Sequence, residues 1–122
     1  MAIDSNRLAG VAYITVDGVQ YMLAGDLSYS TSLIERKTLT GQDGVHGFSE
    51  MPHSGFISGT LRDAGNLSVS SFNAMQSVSV LIELANGKRV TGARMWCVDA
   101  QEVKTVEGTF EVKFEGRQVQ EI

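Results

Sequence analysis

Between residues 78 and 114 this chain repeats with a period of two, and no other stretch limits its folding choices so tightly. Val78, Val80, Ile82 and Leu84 alternate with Ser79, Leu81, Glu83 and Ala85, the pattern of a strand with one buried face. Asn86-Gly87 follows, a pair that tolerates positive φ and predicts a tight hairpin turn. The return strand covers 90–98, with Ala93, Met95 and Cys97 on one face and Arg94, Trp96 and Val98 on the other. Both faces are partly apolar, so this strand is expected inside a sheet. Phe110, Val112 and Phe114 then alternate with Glu111, Lys113 and Glu115, which gives a third strand with one dry and one charged face. Three strands sharing an apolar side are about the minimum that stands alone in water, so the residues before 78 are expected to complete the sheet.

Upstream, residues 1–10 read as a polar N-terminal arm. Residues 11–16 read as a strand, Asp17-Gly18 as a second tight turn, and 19–24 as the returning partner. Residues 25–36 interleave Leu27, Tyr29, Thr31 and Leu33 with serines, again strand-like. Across 41–55 the alternation stops, and four glycines with the only proline predict an extended loop, a length that in a compact domain accompanies function or disorder. Residues 56–62 resume a strand, and 63–66 have turn chemistry. One helix is predicted, over 68–76. Ser68 would be its N-cap, Leu67 would pack on Phe72, and Val69, Phe72 and Met75 recur at helical spacing. The expected architecture is therefore mainly β: two packed antiparallel sheets, a sandwich or partly open barrel, with one short flanking α-helix across an open end.

The 122 residues suffice for one domain and one core. No segment has the roughly 20 apolar residues that cross a bilayer as a helix, and residues 1–10 lack the apolar run of a secretory signal. The single Cys97 cannot form an internal disulfide, and its setting among small apolar residues predicts a structural thiol. The formal net charge of -4 and scattered basic residues disfavour dedicated nucleic-acid binding, which requires clustered Lys and Arg.

Chemical motifs are absent. His46 and His53 flank Glu50, but without a cysteine or third histidine the trio matches no metal-site spacing. Residues 41–47 are glycine-rich yet lack the lysine and following helix of a phosphate-cradling loop. There is no Gly-x-Ser-x-Gly elbow. No catalytic residue, metal or cofactor is predicted. What remains is a β domain with few visible guards on its edge strands, whose unpaired N–H and C=O groups invite copies of the same chain. Head-to-tail edge pairing closes into a ring, and repeated rings build a tube.

The segment Gly41-Gln42-Asp43-Gly44-Val45-His46-Gly47 is followed by Glu50, Pro52, Gly55 and Ile57. With it come Leu61-Arg62-Asp63, Phe72-Asn73-Ala74-Met75, and the runs Val103-Lys104-Thr105-Val106-Glu107-Gly108-Thr109 and Phe110-Glu111-Val112-Lys113-Phe114-Glu115-Gly116. Together, from about Arg7 to Glu115, these blocks resemble the tail tube protein of contractile-tailed bacteriophages of the Mu type. The resemblance implies a structural virion protein forming stacked hexameric rings, a conduit for DNA ejection, and no catalysis. It implies as partners further copies of itself, a tail sheath protein, tape measure and baseplate proteins, and DNA in transit without specific binding, with no membrane. It places the protein in the virion tail, and in host cytoplasm during assembly. By position, Gly41, Gln42, Asp43, Gly44, Val45, His46, Gly47, Phe48, Glu50, Met51 and Pro52 match the family's inter-subunit loop. Glu83, Glu111 and Glu115, acidic on otherwise apolar strands, are candidates to face the lumen. The competing expectation is a small monomeric β-barrel binding module that grips a ligand with 41–55. An enzyme with a site assembled by tertiary folding is a third.

Overall fold

The alternating residues form strands wherever they occur, and every strand is antiparallel to its neighbours. The computed structural model describes residues 6–122. In chain order the elements are β1 (Tyr13–Val16), β2 (Val19–Tyr21), β3 (Leu23–Ser30), β4 (Ile34–Gly41), β5 (Gly44–Pro52), β6 (Gly55–Arg62), α1 (Ser70–Asn73), β7 (Val78–Glu83), β8 (Arg89–Val98), β9 (Val103–Lys104), β10 (Thr109–Gly116) and β11 (Gln118–Glu121). Hydrogen bonding follows the path β2-β1-β7-β8-β10-β6-β3, with β11 added to β8 and β9 to β10. The end strands β2 and β3 do not pair, so the barrel stays open.

β8 belongs to both layers. Its first half, 89–93, pairs with β7 and β11, and its last residues, 96–98, pair with β10. The change occurs at a bulge: Val78 faces Met95 but Val80 faces Gly92, and Arg94 takes a left-handed φ of 53°. One extra residue bends a strand and resets which side chains point inward. Ala93 is therefore exposed rather than sharing the buried face with Met95, as strict alternation predicts. Met95 turns into the core against Gly92 and Gly116, where any Cβ would crowd its side chain.

Between the layers lie Ile14, Val16, Val80, Ile82 and Val90 from one side and Ile57, Leu61, Phe110, Val112 and Phe114 from the other. Phe72 of α1 fills the remaining end, fully buried, with its ring 5.3 Å from Tyr21, 5.4 Å from Phe110 and 6.4 Å from Phe114 between centroids. The helix is a single turn inside the predicted 68–76. Ser68 does not cap it, because its hydroxyl bonds that of Ser70 at 3.0 Å. A helix this short is held by the burial of Phe72 and not by its own hydrogen bonds.

The turns differ in detail from the simple reading. Asp17 (φ 48°) and Gly18 (φ 82°) are both left-handed, as a two-residue hairpin turn requires. Asp17 also accepts the Ser79 N–H at 2.8 Å and donates its own N–H to Ser79 O at 2.8 Å, fastening β1 to β7. At 84–88 only Gly87 is left-handed, at φ 92°, while the Gly87 N–H reaches Leu84 O and the Leu84 N–H reaches Lys88 O. This is the three-residue loop with a glycine bulge, not the two-residue turn expected from Asn86-Gly87. The predicted single strand over 25–36 is interrupted at 31–33, so that β3 stays on β6 while β4 leaves the sheet. Of the N-terminal arm predicted over 1–10, residues 1–5 lie outside those described, and Arg7 donates its Nε–H to Ala85 O at 3.0 Å.

Candidate functional site

The segment read as a patternless loop, 41–55, is instead the tip and return strand of a hairpin. β4 and β5 pair over eight positions, from Ile34↔Pro52 to Gly41↔Gly44, and join no other strand. At about 3.3 Å per residue the arm reaches about 26 Å from the sheet. Sequence reasoning missed it because glycines at 41, 44 and 47 interrupt the alternation, yet all three sit within or beside strands. Gly44 (φ 137°) and Gly47 (φ 149°) supply the conformations needed near the register shift at Leu39/Thr40.

Two-stranded hairpins are marginal in water on their own, and this one is solvent-exposed along nearly its whole length. Ile34, Phe48 and Pro52 share one face, while Leu39 and Met51 stand on the other. Exposure reaches 58% at Phe48, 60% at Met51 and 73% at Val45. Local contacts hold the arm's shape. The Arg36 guanidinium lies 5.5 Å from the Phe48 ring centroid and 3.9 Å from Glu50. At the tip His46 Nε2 bonds Asp43 Oδ1, an interaction that holds the Asp43 carboxyl below its ordinary pKa of 3.8. The His46 ring also covers Gly41 so closely that a Cβ there would collide with it. At the base, His53 donates its backbone N–H to Leu33 O and its Nδ1–H to Ser32 O, both at 2.9 Å.

The three acidic candidates do not share a surface. Glu111 and Glu115 stand on the outer face of β10, together with Ser58 and Thr60 of β6 and Ser28 of β3, whose hydroxyl meets that of Ser58 at 2.7 Å. Lys113 separates them and rests 4.8 Å from the Phe56 ring centroid. Glu115 accepts from Ser54 Oγ at 3.3 Å. Glu83 lies across on β7 in the other layer, 4.0 Å from Arg89.

Among the described residues, no cluster of His, Cys, Asp and Glu could hold a metal. Burial raises the pKa of the half-buried Cys97 thiol, whose sulfur accepts from Gln101 Nε2 at 3.1 Å, so it is a poor nucleophile. The five clearest clefts, of about 240 to 550 Å³, include no residue of the hairpin. Among the described residues no helix is long and apolar enough to cross a membrane.

An open, layered β domain whose end strands each pair on one side only among the described residues, and which carries a protruding apolar arm, has the features of a building block. The chain belongs to the phage tail tube protein family, whose model matches residues 5–121. That family is structural and not enzymatic. A comparison with curated proteins finds no match. Among solved structures the fold is similar to the sheath/tube terminator of a PVC extracellular contractile injection system in the extended state. Identity there is 13%, with a TM-score of 0.58 over 100% of this chain and 97% of that one. It is also similar to the tube terminating cap of the anti-feeding prophage, at 10% identity and a TM-score of 0.57, covering 100% and 91%. A chain of the PVC sheath-tube complex aligns at 13% identity and a TM-score of 0.56, covering 99% and 91%.

Proposed function

We propose that this protein is the inner tube subunit of a contractile phage tail, self-assembling into stacked hexameric rings through which DNA is ejected. The observation that carries the reading is the hairpin. An arm of about 26 Å leaves Phe48, Met51 and Val45 more than half exposed and, among the described residues, its strands pair only with each other, so its apolar side chains are short of packing contact in a lone subunit. A neighbouring copy would supply that contact. The free outer edges of β3 and β2 provide the second means of association, around the ring. The solved sheath-tube complex of similar fold supports a sheath as the outer partner. Tape measure and baseplate proteins would meet the tube at its ends. The site of action is then the virion tail, with assembly in the host cytoplasm.

The outer face of β10 and β6 is our choice for the bore wall. Glu111, Glu115 and the hydroxyls of Ser28, Ser58 and Thr60 offer DNA no basic patch, and a net charge of -4 per copy keeps passage free of lasting contact. Glu83, on the other layer, is left out of that wall. The monomeric binding module has no support from a cleft at the hairpin, and we do not favour it.

Negative-stain microscopy with light scattering on purified protein tests the proposal. Rings or tubes are expected from the full chain, and monomers when 34–52 is replaced by a short glycine linker. A full chain that stays monomeric at every concentration overturns it. Within assembled tails, replacing Glu111 and Glu115 by Lys should leave the fold intact and slow ejection. Unchanged ejection kinetics would remove these residues from the bore.

A further inference from the structure

Among the described residues, Arg94 and Arg117 are the arginines without a hydrogen-bond or ion-pair partner, since Arg7, Arg36, Arg62 and Arg89 all have one. In a chain of net charge -4 with acidic groups available, two unpaired guanidinium groups in one place are unexpected. Both line an open cleft of about 380 Å³ with Trp96, which is 36% exposed. The bulge creates this corner. By giving Arg94 its left-handed turn it sends Met95 inward and leaves Arg94 and Trp96 outside, and Arg117 arrives beside them where β10 passes into β11. No carboxylate lines this cleft, and Glu115, opposite Trp96 in the register, is engaged by Ser54.

The other end of β10 has the opposite character. A cleft of about 240 Å³ there is lined by Asp26, Glu102, Glu107 and Glu111, with Lys104 as its one cation, and no ion pair is formed within it. Glu111 and Arg117 are six positions apart along the chain, about 20 Å at strand rise. One subunit thus presents a basic aromatic corner and an acidic cleft at opposite ends of the same strand. β4 and β5 depart at the basic end, because β6 begins at Gly55 opposite Gly116.

We infer that the Arg94–Trp96–Arg117 corner of one copy docks the acidic cleft of Asp26, Glu102 and Glu107 in the next, an end-to-end contact beside the one made by the hairpin. The contact is heterologous, so it repeats without self-closure and propagates along an axis. Complementary charge would set the direction of addition and speed encounter, and the guanidinium groups can pair bidentately with carboxylates while Trp96 supplies apolar area. This inference rests on the self-assembly reading above.

The test is a charge swap. R94E/R117E makes both ends acidic and E102R/E107R makes both ends basic. Each alone should raise the protein concentration needed for tube growth about tenfold or more. An equimolar mixture should restore assembly with the two variants alternating, which also shows that both are folded. Raising salt from about 0.1 M to about 1 M shortens the screening length from about 10 Å to about 3 Å, and should weaken wild-type assembly more than that of the R94Q/R117Q variant. If the wild type assembles and both variants assemble equally well alone, the contact is refuted while the tube reading stands. If both fail alone and their mixture also fails, with native near-ultraviolet dichroism, the pairing is likewise refuted. Retention of duplex DNA by the wild type but not by R94E/R117E would assign the corner to nucleic acid instead. A wild type that never assembles sinks the function and this contact together.

Discussion

The hairpin of β4 and β5 and the layered strands behind it are made of similar β-forming residues, yet they solve opposite problems. In β6, residues alternate buried and half-buried along the strand, and Ile57 and Leu61 are wholly excluded from water. In β4 every residue is exposed. The layered strands are stabilised by what they bury within one chain. The hairpin has its ladder, the Arg36 cation over Phe48 and beside Glu50, and the His46–Asp43 hydrogen bond at its tip, and exposed contacts of this kind contribute little. The lesson is that strand pattern reports backbone conformation, while burial depends on whether a partner surface exists in the same subunit.

Substitutions can break this comparison. Phe72→Ala should destabilise the free subunit by about 3–5 kcal/mol, since it empties the space among Tyr21, Phe110 and Phe114. A denaturant midpoint close to that of the wild type would show that α1 does not plug the core. Gly92→Ala is expected to cost about 1–3 kcal/mol, because the new Cβ meets Met95 at the bend of β8. Phe48→Ala inverts the pattern. It should change subunit stability by less than about 0.5 kcal/mol while weakening assembly, and a large loss of subunit stability would mean the arm packs on its own domain.

Hydrogen exchange sharpens the same contrast. Amides of β4 and β5 should exchange much faster than those of β10 in the free subunit, and approach them only after assembly. The smallest effect concerns Asp43. Its folded pKa is lowered by His46, so the pair contributes at pH above 3.8 and is lost as pH falls through the depressed value. An NMR titration should place the Asp43 midpoint below 3.8, and His46→Ala should raise it toward the ordinary value, with the backbone hydrogen bond of Asp43 still holding it down.

Much of the fold was legible from local chemistry. The alternation at Val78, Val80 and Ile82 and at Phe110, Val112 and Phe114 gave buried faces that the structure confirms. Asp17-Gly18 gave a hairpin turn, because left-handed φ is cheap there. The candidate site was only half legible. Residues 41–55 stood out by composition, yet their strand pairing was hidden, because glycine and polar residues pair through backbone groups that carry no side-chain signature. The unpaired Arg94 and Arg117 had no sequence signal, since they lie 23 positions apart and meet only through the bend of β8 against β10 and β11.

The order of residues by itself determined that this chain is a β domain, where its apolar faces lie, and that it has no recognisable catalytic motif, because alternation and turn chemistry act over two to five residues. The bulge at Arg94 that divides β8 between layers, the arm that leaves the sheet at residue 33, and the opposite charges at the two ends of β10 were decided only in three dimensions. Each depends on which strand lies alongside which, and strand pairing joins residues far apart in the chain.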